Sequence, residues 1–497
     1  MKCLTIGKNQ SKGKEDYRNA HAVVPILPKV EKRISNDHKT NRLNVMIIGI
    51  DAVSRLNVRR TMPNTLKYLQ RNDWVELHGY NKMAENTFPN LMAILSGDDC
   101  VKTYNSISNN YSVAMDIFPI IWKEYKRKGY VTAYAEDTPN IQTFNYMQTG
   151  FVKQPTDYYM RPFILAAHNL LPKKFQDGLP VCTGPTCVVD HIFQYAKDFS
   201  TTFKNHSYFG LFWLNSLSHN DVNVPTILDV PLMNFLKDLS DIGTYDNTSV
   251  FLLSDHGMRF GPIRETFVGY YEERLPFIFI KVPKWFREKY PQKYQNLLMN
   301  RNRLTNPYDV YVTIKRLLNE DYDDGVSKPI SKACPKCVSL FEKVSKDRGC
   351  EDAGIVPQWC MCPNFKKLKL NDSTSVEVGK FLFEYILKVT QELMAKEGVN
   401  ENLCAERTFS KIVWNYLGIS KNNSLGKSDY YSILIKLNPG PALFQAMVEK
   451  KETKVGNQVM KVLEPIIRLD SYWNVTKCVQ SRSLKVYCHC VTINHFR

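Results

Sequence analysis

The 497-residue sequence has no apolar run long enough to span a bilayer. Its first residues, Met1-Lys2-Cys3-Leu4-Thr5-Ile6-Gly7-Lys8, lead into no apolar stretch of the kind a secretory leader needs. No internal repeat is present, which sets repeat architectures aside. No stripe of Lys and Arg interleaved with aromatics appears, and no nucleic-acid motif, so nucleic acid is not an expected partner. A second Cys-x-x-Cys knuckle is missing too. Only Cys334-Pro-Lys-Cys337 has that spacing, and a zinc ribbon needs two. Acidic residues are in deficit, 49 against 66 basic, for a net charge of +17. That balance favours anionic partners: phosphate or sulfate esters, acidic glycans or an anionic membrane surface. A solvated basic surface accounts for it equally well.

The sequence is 43% hydrophobic and 12% aromatic, enough for a large core and more than one domain. Its 13 cysteines gather late, at Cys334, Cys337, Cys350, Cys360, Cys362, Cys404, Cys478, Cys488 and Cys490, with Cys182 and Cys187 as an earlier close pair. Such density without a second knuckle predicts disulfides and an oxidising compartment. The odd count leaves one thiol over, with Cys3 as a candidate. Glycosylation sequons stand at Asn9, Asn110, Asn205, Asn247, Asn371, Asn422 and Asn474. Cysteines and sequons together predict an extracellular protein, secreted or anchored by a signal on a segment absent from this sequence. The alternative is a cytosolic protein with many free thiols.

Three regions are expected. Residues 1–42 are a polar, basic N-terminal arm, with Pro25 and Pro28 against helix. Residues 43–330 alternate strands with helices, the pattern of an α/β core with a mostly parallel sheet flanked by helices. Residues 331–497 are a cysteine-rich region with helices at Ser375–Ala395 and Leu403–Tyr416, followed by C-terminal strands. Within the core, the apolar run Asn44–Ile50 reads as a central strand ending on Asp51. Thr87 is placed to cap a helix with Pro89 just inside it and Gly97 at its end. An amphipathic helix is expected over Asp116–Tyr125. The strand Tyr208–Leu214 runs into Asn215-Ser216-Leu217-Ser218-His219-Asn220-Asp221, and Ser249–Leu253 runs into Ser254-Asp255-His256-Gly257-Met258.

Open α/β sheets place their chemistry beyond the carboxyl ends of the strands. Asp51, Asp255 and His256 offer hard oxygens and an imidazole nitrogen there, a set that suits one divalent cation such as zinc or manganese. A hydroxyl at a helix amino terminus faces unpaired N–H groups and the positive end of the helix dipole. Beside a metal, Thr87 would be a nucleophile toward a tetrahedral ester and a fourth metal ligand. His219 is the candidate to protonate the leaving group. Each residue also has an ordinary structural role: Asp51 in a turn, Thr87 as a cap, His219 as a loop residue.

At these residues the sequence resembles the alkaline phosphatase superfamily, with Asp at the first strand, Thr at the next helix start and Ser-Asp-His-Gly-Met late. The span from about Leu43 to Leu317 is similar to its sulfatase-like branch. More closely, it resembles an animal family known as domain of unknown function 229. That likeness rests on Asp51-Ala52-Val53-Ser54-Arg55, Asn86-Thr87-Phe88-Pro89-Asn90, Ser218-His219-Asn220-Asp221, Ser254 through Gly261, and Glu272-Glu273-Arg274-Leu275-Pro276. It reaches the tail through Arg468-Leu469-Asp470 and Tyr487-Cys488-His489-Cys490. The resemblance implies an alkaline-phosphatase-like fold and extracellular members.

Two departures shape what it implies for chemistry. Sulfatases carry a Cys or Ser, converted to formylglycine, before x-Pro-x-Arg. Here Thr87 precedes Phe88-Pro89-Asn90-Leu91, so phosphoester chemistry is expected over sulfate-ester hydrolysis. Two-metal members place an Asp four residues before the middle His. Here Asn215 precedes His219, and the late His489 and His495 lie in the cysteine-rich tail. The pattern is closer to single-metal phosphotransferases acting on lipid head groups or glycan carriers. Asn215 and Asp221 stay candidates for a second metal or for substrate, and Arg259 for substrate. The expected partner is an anionic ester on a lipid head group, a glycan or a small molecule. The competing class is a non-catalytic secreted binding protein that keeps the fold.

Overall fold

The computed structural model describes residues 2–5, 14–35, 42–99, 114–146, 148–318, 328–419, 428–452 and 458–491. The chain divides into two compact units, Met1–Met258 with Glu272–Ile355, and Arg259–Tyr271 with Val356–Arg497. Residues 331–355, expected with the C-terminal element, thus pack in the first unit.

In the first unit, β1 (Lys2–Thr5) and β2 (Lys14–Arg18) form an antiparallel pair. The strands β3 (Asn44–Ile50), β4 (Val75–Glu76), β5 (Val131–Glu136) and β6 (Tyr158–Tyr159) follow. A three-stranded antiparallel sheet comes next: β7 (Lys173–Gln176), β8 (Leu179–Thr183) and β9 (Thr186–Cys187). Then come β10 (Tyr208–Leu214), β11 (Thr248–Leu253) and β12 (Ile278–Lys281). The main sheet has seven strands in the order β4-β12-β11-β3-β10-β5-β6. The run from β11 to β6 is parallel, and β12 and β4 pair antiparallel at one edge. This is the expected α/β class.

The apolar runs are central because both sheet faces are covered. Along β3, Met46, Ile48 and Ile50 enter one hydrophobic cluster, and Val45 and Ile47 enter another. Alternation with period two therefore sends successive side chains into opposite layers. Burying each such aliphatic side chain is worth about 1.5–3 kcal/mol. The helix Thr87–Ser96 belongs to the second layer through Leu91, Met92, Ile94 and Leu95, and it ends on Gly97 at φ 64°. That left-handed end is the conformation glycine adopts most readily.

The helix expected over Asp116–Tyr125 is broken. A 3-10 turn covers Met115–Ile117, and a helix covers Trp122–Arg127. Pro119 lies between them and cannot donate to a continuous ladder.

The second unit holds β13 (Asn364–Lys367), β14 (Thr408–Ile419), β15 (Ser428–Asn438), β16 (Ala442–Glu452) and β17 (Gln458–Arg468) in one antiparallel sheet, in that order. The segment expected as a helix over Leu403–Tyr416 is mostly strand β14. Its Trp414 and Tyr416 pack against Phe267, whose ring stacks on Tyr416 at 3.5 Å between centroids. The long helix Ser373–Glu397 is capped by Asp372, which accepts from the N–H groups of Thr374 and Ser375.

Cys334–Cys337 is a disulfide in the first unit, and Cys404–Cys488 and Cys478–Cys490 are disulfides in the second. The single knuckle is therefore a bridge and not half of a zinc ribbon. Cys182 and Cys187 are free thiols paired across β8 and β9. The side chain of Cys3 lies outside the described part. Among the described residues, no helix is long and apolar enough to cross a membrane.

Candidate active site

The site begins with strand register. β3 and β11 are parallel neighbours, with Gly49 opposite Leu253. Two residues further along each chain, Asp51 and Asp255 leave the same edge of the sheet, both fully buried. The turn after Asp51 is tight: Ala52 has φ 59°. A left-handed non-glycine residue costs about 1–2 kcal/mol. The contacts that hold it are the N–H of Ala52 to Asp255 Oδ1 at 3.3 Å and the N–H of Val53 to Ser254 Oγ at 3.0 Å. The end of one strand is thus docked onto the end of the other.

Thr87 stands at the amino terminus of its helix, but it is not the cap. Asn86 holds the cap position, and Thr87 is the first helical residue. Its hydroxyl is turned away from the helix, donating to Asp51 Oδ1 at 3.1 Å and lying 3.4 Å from His256 Nε2. The loop before it is wrapped around buried Asn90. That side chain accepts from the N–H groups of Met83 and Ala84, and it donates to the carbonyls of Ala84 and Asn86.

His256 is oriented by its own chain. Nδ1 lies 2.9 Å from the carbonyl oxygen of Gly257. A carbonyl only accepts, so Nδ1 carries the proton and neutral His256 presents a lone pair at Nε2. That nitrogen faces Asp255 Oδ2 at 3.2 Å and Asp51 Oδ1 at 3.7 Å. Asp255 Oδ2 is buried and meets no hydrogen-bond donor. Burial and the neighbouring charge of Asp51 push the Asp255 carboxyl up to about 8. Acceptors thus converge on acceptors. One ligand atom each from Asp51, Asp255 and His256 lie within 4.8 Å of one another. Two carboxylates and an imidazole nitrogen fit a divalent cation, which would satisfy the orphaned oxygen and offset the clustered charge.

A buried ion network flanks the site. Lys82, fully buried, pairs with Glu273, which also accepts from Arg274 Nη1 at 2.6 Å. Lys82 Nζ further donates to the carbonyl of Glu85 at 3.3 Å, ahead of Thr87. The carbonyl of Glu273 accepts from the N–H of Gly257 at 3.0 Å. Gly257 approaches so closely that a Cβ would sit 2.1 Å from the Glu272 carbonyl oxygen. Glu272 itself takes Ser54 Oγ at 2.8 Å and both Arg60 nitrogens at 2.6 Å.

The other expected site residues fall as follows. His219 Nε2 lies 4.0 Å from Asp51 Oδ2. The Asn215 side chain donates to Glu136 Oε1 at 2.9 Å and points to Asp137 Oδ1 at 3.4 Å. Asp221 accepts the N–H of Asn223 at 2.7 Å. Arg259 lies in the second unit, its guanidinium 5.2 Å over the Phe260 ring. Among sequons, Asn205, Asn371 and Asn474 are exposed, and the Asn247 amide donates to the Arg42 carbonyl. Asn9, Asn110 and Asn422 lie outside the described residues.

Glu136 and Asp137 were not anticipated. Glu136 ends β5 as Asp51 follows β3, so an acid at a strand end was the available signal. Burial raises the Glu136 carboxyl to about 7 against hydrogen bonds from Tyr134, Asn215 and Thr143. Asp137 accepts from Ser216 Oγ at 2.6 Å and from the N–H groups of Asn215 and Ser216.

The family described as "Protein of unknown function (DUF229)" matches residues 1–413. Among curated proteins, none matches in sequence. Solved structures that match include a protein of the alkaline phosphatase superfamily from Vibrio parahaemolyticus, at 14% identity and TM-score 0.42, covering 86% of this chain and 83% of that one. A phosphonate monoester hydrolase from Silicibacter pomeroyi matches at 14% identity and TM-score 0.42, covering 81% of this chain and 89% of that one. A lipooligosaccharide phosphoethanolamine transferase from Neisseria meningitidis matches at 14% identity and TM-score 0.37, covering 57% and 56%.

Proposed function

The chain belongs to the DUF229 family, and from that premise we propose that it is an extracellular, metal-dependent phosphoester hydrolase or phosphotransferase with Thr87 as nucleophile. The observation that carries this reading is the convergence of the Thr87 hydroxyl with Asp51 Oδ1 and the lone pair of His256 Nε2, at 3.1 and 3.4 Å. A threonine serving only to cap this helix would stand at the cap position; Asn86 occupies it, and the Thr87 hydroxyl is directed to Asp51.

Asp51, Asp255, His256 and Thr87 would hold one zinc or manganese ion. Bound there, a divalent cation acidifies the threonine hydroxyl and polarises an ester oxygen. Asp51 Oδ1 accepts the hydrogen bond of that hydroxyl and is the first base its proton meets. As Thr87 Oγ1 bonds to phosphorus, the bond from phosphorus to the leaving oxygen breaks. That oxygen takes a proton from charged His219. Water or a second hydroxyl then attacks the phosphothreonine, and Thr87 Oγ1 regains its proton. The amino terminus of the helix Thr87–Ser96 favours the anionic oxygens of the group in transit.

Phosphate is favoured over sulfate because threonine cannot form the formylglycine of sulfatases. The disulfides and the exposed sequons support an extracellular setting. The basic surface suits an anionic ester on a lipid head group, a glycan or a small molecule.

The test combines metal analysis with trapping. Purified protein should hold about one equivalent of zinc or manganese, and an aryl phosphate or phosphodiester quenched in acid should leave phosphate on Thr87. Protein without bound metal that leaves aryl phosphates, phosphodiesters and sulfates unchanged would point to a binding protein that keeps the fold.

A further inference from the structure

The loop after β10 carries an arrangement that the chemistry above does not use. Asn220 Nδ2 donates to the main-chain carbonyl of Asp177 at 2.6 Å. Asp177 and Gly178 join β7 to β8, and both have positive φ, 50° and 81°. This is the backbone expected of a tight two-residue hairpin turn. A carbonyl oxygen only accepts, so the amide nitrogen of Asn220 faces it and Oδ1 faces away. That oxygen lies 2.6 Å from His219 Nδ1. It also only accepts, so Nδ1 must donate. Neutral His219 therefore carries its proton at Nδ1 and its lone pair at Nε2, the nitrogen nearer Asp51. The main chain fixes the same residue from the other side. The N–H of His219 donates to the Asn215 carbonyl at 3.0 Å, and the Asn215 side chain is held by Glu136.

We infer that Asn220 is a positioning residue: the β7–β8 hairpin tip fixes its amide, and the amide fixes the tautomer and ring orientation of His219. The hairpin, remote in sequence from the nucleophile, thereby selects the nitrogen that serves the site. In this tautomer neutral His219 can accept a proton or a cation at Nε2. It donates from Nε2 only as imidazolium, with Nδ1–H still on Asn220. The inference gives the histidine of the proposed reaction its orienting partner, and so rests on that reading for its meaning. The tautomer itself belongs to the resting protein and is read without metal, substrate or turnover.

The experiment uses the full chain with 15N-labelled histidine, freed of metal by chelator, at a pH where imidazole is neutral. Two-bond 1H–15N correlations distinguish a protonated ring nitrogen from a bare one, and His219→Gln assigns the signal. The wild type should show a protonated Nδ1 and a bare Nε2 at His219. Asn220→Ala should convert this signal to a mixture of both tautomers, and Asn220→Asp, which keeps an acceptor toward Nδ1 but has no donor for the Asp177 carbonyl, should restore the Nδ1–H form only in part. His256 is the internal control. Its Nδ1 is held by Gly257 and should stay protonated in every variant, reporting an intact fold. Two results overturn the inference: a wild-type His219 protonated at Nε2, or an unchanged His219 signal in folded Asn220→Ala. If Asn220→Ala does not fold, the wild-type spectrum alone decides. Loss of turnover elsewhere would leave these spectra untouched, so failure of the proposed reaction and failure of this inference are separable.

Discussion

Nε2 of His256 and Oδ2 of Asp255 face each other across 3.2 Å, and neither brings a proton to the contact when the imidazole is neutral and the carboxylate ionised. Without metal the conflict is eased by protonating Asp255, whose carboxyl is raised to about 8 by burial and by Asp51. A cation must displace that proton. Metal affinity should therefore rise about tenfold per pH unit below that value and level off above it. The sign for stability is opposite. Between the ordinary value of 3.8 and about 8, folded Asp255 holds a proton that the unfolded chain has lost. The metal-free protein should thus lose stability as pH rises through this window, and saturating metal should cancel that loss, because the rise in affinity offsets it. Chelator competition and thermal unfolding across the window check both. An affinity independent of pH would remove Asp255 from the ligand set.

Replacing Thr87 separates hydroxyl from shape. Thr87→Ser keeps an oxygen beside Asp51 Oδ1 and should retain turnover within about tenfold of wild type. Thr87→Ala should lose about a thousandfold or more in kcat. Steady-state kinetics on an aryl phosphate, with metal content measured on the same samples, reads the effect. An active alanine variant rules out the nucleophile.

The Lys82–Glu273–Arg274 network predicts an asymmetry. Glu273→Gln leaves two buried cations without their shared anion and should cost about 3–5 kcal/mol. Lys82→Met leaves Glu273 still paired with Arg274 and should cost less. Denaturant unfolding of the two variants gives the order. Because Lys82 also ties down the carbonyl of Glu85, both should lower kcat more than they raise KM.

Disulfide loss in the second unit should scale with the loop closed. Cys404 and Cys488 are 84 positions apart, and Cys478 and Cys490 are 12 apart. Chain entropy gives about 4.5 and about 2.8 kcal/mol respectively. Paired serine variants of each bridge, followed by calorimetry, test the order.

The core strands were legible in the sequence because a strand buried on both faces is a continuous apolar run. Asn44–Ile50, Tyr208–Leu214 and Thr248–Leu253 all have that form. Their ends marked Asp51, Asp255 and His256 for the same reason: a run that stops on an acid inside a parallel sheet stops where side chains converge. Thr87 was legible both as a helix start and as a candidate ligand beside Asp51; the sequence could not choose between them, since capping and catalysis draw on the same residue types, and the structure puts its hydroxyl on Asp51 Oδ1. The Leu403–Tyr416 segment misled because its apolar spacing suits either element, and pairing with β13 and β15 decides for strand. Lys82 gave no local sign, and Glu136 only that of an acid at a strand end. Their roles come from partners far along the chain: Lys82 and Glu273 are 191 positions apart, and Glu136 and Asn215 are 79 apart.

The docking of the Ala52 turn onto Ser254 and Asp255 has a consequence for how the protein matures. The candidate ligands Asp51 and Asp255 follow two strands that meet only through long-range parallel pairing, so the proposed site is complete only once these strands have paired. If the proposed ion binds there, its loading should follow assembly of the sheet. Such an ion would act as a late lock, adding stability by mass action to a scaffold already formed without guiding its folding. On the proposed reading, protein freed of metal by chelator should accordingly remain a folded species, which calorimetry of the stripped protein would check.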